Sequence, residues 1–251
     1  MRQWTDWMKQ AAFTDVLCTL VGSVTLGIVL VLARTAPAGE SIAAVLGGLA
    51  MVSVCVLSIM RRKPLFSTVA DRVTLTRGVL GGGCATIIML AIMGPDPHRS
   101  WPLVFLAAPA VLLDAVDGAV ARRTGTASIQ GARLDMETDA ALMLVLCVPL
   151  AFALGLWVMG IGLMRYGFVA LSWCRPALRT QLEFSQFRRV VSAIQAVALV
   201  IALVPVVPEL MSMVILILSL ALLSTSFLRD IIVLERRQGS GSDGVAEASD
   251  M

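Results

Sequence analysis

Residues 114–139 read DAVDGAVARRTGTASIQGARLDMETD. Four carboxylates, Asp114, Asp117, Asp135 and Asp139, stand where two very apolar segments, FLAAPAVLL (105–113) and AALMLVLCVPLAFAL (140–154), approach one short polar loop. An ionisable group in bilayer hydrocarbon costs at least ~2.5 kcal/mol and persists where it faces a bundle interior, a cavity or a counter-charge. Four acids at such a place call for a cation.

The whole chain supports a membrane setting. Of its 251 residues 58% are hydrophobic and 15% charged, with a mean hydropathy of +0.87, against about 25% charged residues in soluble domains. The expected fold class is all-α, a polytopic membrane helical bundle. Segments of about 20 residues, the length that crosses the hydrocarbon core, can be drawn at 14–34, 41–60, 73–93, 101–121, 132–151, 152–173, 190–207 and 209–230. The N-terminus superficially resembles a signal peptide, but its apolar stretch exceeds the usual length. It is read as a retained span.

Orientation follows from Lys and Arg in the short connections. Seventeen of them, Arg77 counted among these, fall on one side, against Arg34 and Arg99 on the other, with Arg165 inside a span. Both termini and the aspartate loop are therefore expected in the cytoplasm, and the sole histidine, His98, on the far side. The formal net charge of +3 and scattered arginines give no basic stripe for nucleic acid. Cys18, Cys55, Cys84, Cys147 and Cys174 lie in or beside apolar runs without a C-x-x-C pair, and are read as packing residues.

Two segments lie outside the spans. RRKPLFSTVAD (61–71) carries three cations and then Leu65, Phe66 and Val69, which suits a short helix in the headgroup layer or, equally, a stop-transfer charge cluster with a linker. The polar stretch 238–251 has too little apolar surface to offset the entropy of ordering and is expected to be disordered.

Helical geometry gathers the acids. Asp114 and Asp117 are i and i+3 with Gly118 and Ala121 on the same stripe, while Asp135 and Asp139 are i and i+4 on the next helix. A hairpin through 123–130 can bring all four together, with Gly125 and Gly131 letting the chain turn. An all-oxygen donor set favours Mg²⁺, Mn²⁺ or Ca²⁺ over zinc, and aspartates around Mg²⁺ are a usual device for neutralising a diphosphate. Phosphoryl-type transfer is the first chemistry to consider.

The pattern D-x-x-D-G-x-x-A-R, eight residues, then G-x-x-x-D-x-x-x-D is met by Asp114, Asp117, Gly118, Ala121, Arg122, Gly131, Asp135 and Asp139. It resembles the signature of the CDP-alcohol phosphatidyltransferases. The likeness extends to an N-x-x-T-x-x-R opening of the first core helix, where Thr74 and Arg77 fit and Asp71 stands in the Asn position. It covers about residues 61–237, which implies a six-helix core with an interfacial helix, preceded by two extra transmembrane helices in 1–60 and followed by the tail from 238.

Carried over, the resemblance implies that Asp114, Asp117 and Asp135 hold Mg²⁺ or Mn²⁺ with help from Asp139, which is also the candidate general base. Gly118, Ala121, Arg122 and Gly131, with Asp114, Asp117 and Thr74, would line the cytidine diphosphate pocket. It further implies a homodimer in the membrane, with CDP-diacylglycerol and a small alcohol as substrates and cytidine monophosphate as product. The expected location is the bacterial inner (cytoplasmic) membrane, with the active site facing the cytoplasm.

For the acceptor, Arg165, Arg179 and Arg188 are the candidate ligands of a phosphorylated polyol, glycerol 3-phosphate being favoured. The loop arginines also fit a purely topological role, and Arg165 could instead pair with a core aspartate. Inositol phosphate or an amino alcohol are alternative acceptors. From another class, an ion transporter would use intramembrane acids in a conduction path but would not require G-x-x-A-R after the second aspartate.

Overall fold

The structure, a computed structural model, describes residues 2–62, 65–124, 129–164, 166 and 186–225, apart from the side chains of 2–8, 115–124, 129 and 186–189. The described helices are α1 (Arg2–Arg34), α2 (Ala38–Met60), α3 (Val69–Met93), α4 (Trp101–Thr124), α5 (Ile129–Leu154), α6 beginning at 159–164, α7 (Gln186–Leu203) and α8 (Glu209–Thr225). There is no strand among the described residues. Four helices, over Lys9–Arg34, Ala38–Met60, Val69–Met93 and Gln130–Leu154, are long and apolar enough to cross a membrane, and further apolar helices accompany them. The protein is a polytopic helical membrane protein, as its composition requires.

Helix boundaries follow local chemistry. Thr68 caps α3 through a reciprocal capping box: its hydroxyl accepts from the Asp71 amide at 3.2 Å, and the Asp71 carboxylate accepts from the Thr68 amide at 2.8 Å. The interfacial helix considered for 61–71 is not found in its described part. Residues 65–68 are non-helical, and Val69 already belongs to α3. The joint expected at 151/152 lies at Gly155, whose φ of +111° is a conformation that side chains disfavour, and a turn over Leu156–Val158 follows. The span drawn to 207 ends at Leu203, since Pro205 and Pro208 supply no backbone donor. The tail from 238 lies outside the described residues.

α3 is the central element, in contact with α1, α2, α4 and α5, while α7 packs on α4 and α5. The core around Cys84, Ile88, Leu103, Leu146 and Leu199 runs through these helices. Close approach depends on small residues, as is usual between membrane helices. A Cβ on Gly82 of α3 would lie 2.9 Å from Val52 Cγ2 and 3.0 Å from the Gly48 carbonyl oxygen of α2. Cys55 and Cys84 are buried, and Cys55 Sγ lies 3.3 Å from Thr138 Oγ1 of α5, in keeping with packing roles.

At the end of the bundle away from the aspartates, both arginines of that face are engaged. Arg34 pairs with Asp96. Arg99 Nη2 donates to the carbonyls of Val204 (2.6 Å) and Val207 (2.7 Å), in the turn between α7 and α8. His98 stacks on Phe152 with ring centroids 4.8 Å apart. It is thus held far from the carboxylates.

Gly82→Leu is expected to force α2 and α3 apart and to cost about 2 kcal/mol of stability. A drop in the melting temperature of the detergent-purified protein is the measurement that checks it.

Candidate metal and nucleotide site

The second half of α4 and the first half of α5 both lie against the start of α3, and this brings three of the motif's four aspartates together. Asp114, Asp135 and Asp139 each offer one carboxylate oxygen within 4.8 Å of the others. Asp135 and Asp139 are one turn apart on α5, and Asp114 faces them from α4. All three are partly exposed, at 37%, 34% and 25% for Asp114, Asp135 and Asp139, so the cluster opens toward solvent while its base is buried.

The base is Arg77. The sequence counted it among the loop cations that set topology, while the T-x-x-R match placed it on the first core helix; the helix placement holds and the loop one does not, since Arg77 sits inside α3 with a side chain 1% exposed. Its Nη1 contacts Asp114 at 3.1 Å and Asp135 at 2.6 Å, its Nη2 pairs with Asp139, and its Nε donates to the Ala110 carbonyl at 3.2 Å. The planar guanidinium suits this role because its donors diverge in a fixed fork that one ammonium cannot reproduce. The signal that would have found it is the argument already applied to the aspartates. A charge four residues into the apolar run beginning at residue 73 needs a partner.

Three carboxylates and one guanidinium carry a net charge of −2. This, with a donor set composed only of oxygen, fits one hard divalent cation. Asp117 lies one turn beyond Asp114 on α4, with Gly118, Ala121 and Arg122 following, but the side chains of these residues are outside the description. Gly131 stands one turn before Asp135 on α5 and is partly exposed. Thr74, 3% exposed, shares the α3 face of Arg77, and its hydroxyl donates to the Ala70 carbonyl at 3.3 Å. Asp71 is committed elsewhere: both its oxygens accept from Arg62 at 2.8 Å.

Of the acceptor candidates, Arg165 and Arg179 lie outside the described residues, and Arg188 is in the first turn of α7 with its side chain outside the description. Sequence reasoning also passed over Ser192. It lines, with Val111, Leu142, Met143 and Leu146, a small cavity that has Arg77, Asp114 and Asp139 at its polar end. A lone serine in an apolar helix gives no pattern by which to find it.

An apolar helical bundle that gathers three carboxylates within reach of one hard cation has the donor set suited to neutralising a phosphate group. A family model described as CDP-alcohol phosphatidyltransferase matches residues 67–225, and the chain belongs to that family. Comparisons with curated proteins and with solved structures give no match. The chain is therefore an integral membrane enzyme of phospholipid synthesis, transferring a phosphatidyl group from a CDP-alcohol, in a family that generally uses a divalent metal.

Arg77→Met leaves three carboxylates around a buried apolar stem. It is expected to lower stability by about 3 kcal/mol, the scale for removing one partner of a buried charge group. Mg²⁺ should recover more of the melting temperature in the variant than it adds to the wild type, as thermal unfolding with and without the ion will read.

Proposed function

We propose that the protein transfers the phosphatidyl group of CDP-diacylglycerol to the hydroxyl of a small phosphorylated polyol, glycerol 3-phosphate being favoured, with release of cytidine monophosphate. The observation that carries this reading is the convergence of Asp114, Asp135 and Asp139 on Arg77 within a chain of this family. Family membership also separates it from an ion transporter with intramembrane acids.

In the proposed mechanism Asp114, Asp117, Asp135 and Asp139 hold Mg²⁺ or Mn²⁺. When bound, the ion neutralises charge on the diphosphate and stabilises the charge that develops as the phosphorus is substituted. Arg77 keeps Asp135 and Asp139 in register with Asp114, so the donors need no rearrangement during reaction. Gly118, Ala121 and Gly131 leave room for the cytidine diphosphate, with Arg122 and Thr74 at its edge. Asp139 takes the proton of the acceptor hydroxyl, a task for a carboxylate because the sole histidine is at the other end of the bundle. The acceptor oxygen attacks the phosphorus that bears the diacylglycerol. Its bond to the bridging oxygen of the diphosphate breaks, and the pair of electrons leaves with cytidine monophosphate.

Arg165, Arg179 and Arg188 are assigned to the acceptor's phosphate, for which guanidinium forks are suited. The excess of Lys and Arg on the aspartate side supports a cytoplasmic site, and the membrane is assigned as a bacterial inner membrane. We assign residues 61–237 to the catalytic core and 1–60 to two additional transmembrane helices, with the assembly a homodimer. The match beginning at residue 67 supports that division.

The test is reconstitution with CDP-diacylglycerol and Mg²⁺ against a panel of acceptors, following cytidine monophosphate release. Release is expected with glycerol 3-phosphate and to fall about 10³-fold in Asp139→Ala, the scale of a lost general base. Release with inositol phosphate or an amino alcohol instead would overturn the acceptor assignment, and no binding of the nucleotide would overturn the reading as a whole.

A further inference from the structure

We propose that Arg62 is a positioning residue for the aspartate cluster, a clamp that ties the end of α2 and the start of α3 to the first turn of α5. The proposal rests on the cluster being the metal and nucleotide site. Arg62 follows α2 by two residues and is 5% exposed, an unusual fate for a cation in a run of three.

Its guanidinium reaches three segments at once. Nη1 and Nη2 form a bidentate pair with Asp71 Oδ2 and Oδ1, each at 2.8 Å. Nη1 also donates to the Phe66 carbonyl at 3.2 Å, and the same group lies 5.1 Å from the centroid of the Phe66 ring. Nη2 donates to the Gln130 carbonyl at 3.3 Å. Asp71 is itself fixed by the Thr68 amide and hydroxyl, both at 2.8 Å, so the clamp is anchored in the cap of α3.

Gln130 stands five residues before Asp135 and nine before Asp139 on the same helix. A helix transmits a shift of its first turn to the carboxylates it carries, and ~1 Å of misplacement at a catalytic group is worth about 10²-fold in rate. Arg62 holds the first turn of α5 from outside that helix through the Gln130 carbonyl, and through it the end of α2 bears on the site.

The pair also accounts for aspartate at position 71, where the family resemblance leads one to expect asparagine. A buried guanidinium needs a charged partner, and an amide would leave Arg62 uncompensated.

The experiment uses the full-length protein in detergent and compares the wild type with Arg62→Met, Arg62→Lys and the double variant R62M/D71N. The double variant removes both buried charges and leaves an Oδ1 acceptor for the Thr68 amide, so it loses the α5 contact without an unpaired ion. Hydrogen exchange across residues 129–139 is expected to accelerate in R62M/D71N while residues 80–90 of α3 keep their protection. Binding of Mn²⁺, titrated alone by its electron spin resonance signal, is expected to weaken about tenfold, the scale of a lost outer-shell partner. Arg62→Lys, which keeps a charge on Asp71 without the fork, should fall between. Unchanged exchange at 129–139 and unchanged Mn²⁺ affinity in the double variant, with only a lower melting temperature, would overturn the proposal. Failure of the wild type to bind Mn²⁺ would instead count against the metal site, since exchange at 129–139 reads the clamp on its own.

Discussion

Arg77 has a side chain 1% exposed and carries a full charge into an apolar bundle. Taking such a charge out of water costs several kcal/mol unless its donors are met with good geometry. Three carboxylates from α4 and α5 and the Ala110 carbonyl meet them. That requirement explains much of the arrangement. α3 must lie against both α4 and α5, the α4–α5 hairpin must be in register at Asp114 and Asp139, and α7 closes the cavity beside them.

The charge balance of the cluster then bears on the chemistry. Without Arg77 the carboxylates would repel one another and scatter toward solvent. With it they are gathered, and the cluster keeps a net negative charge that suits one divalent cation. One buried residue thus serves both folding and the readiness of the site, which is how a preorganised site avoids reorganisation when its ligand arrives.

Among the described residues, charged side chains are concentrated at the two ends of the bundle, and each end has its own use. At the aspartate end Arg62, Asp71 and Thr68 fasten α2, α3 and α5 to one another, and Arg72 pairs with Asp15 of α1 at 3.0 Å. At the other end Arg34, Asp96 and Arg99 close the α1–α2, α3–α4 and α7–α8 connections. Between them the helices meet through small and aliphatic residues, and the Gly48–Gly82 approach sets how near α2 comes to α3.

The sequence by itself determined the helical membrane class, the ends of most described helices to within a few residues, and the aspartate motif, because each is a short-range property: apolar length, turn chemistry, and i, i+3 and i+4 spacing on one helix. Tertiary structure alone decided which cation stands beneath those aspartates and which arginine fastens the helix that carries two of them. Arg77 is 58 residues from Asp135, and Arg62 is 68 from Gln130. Contacts across such distances leave no period in the chain, and an arginine near a helix end looks the same in sequence whether it faces lipid headgroups or a buried carboxylate. What distinguishes them is burial, a property of how the helices pack.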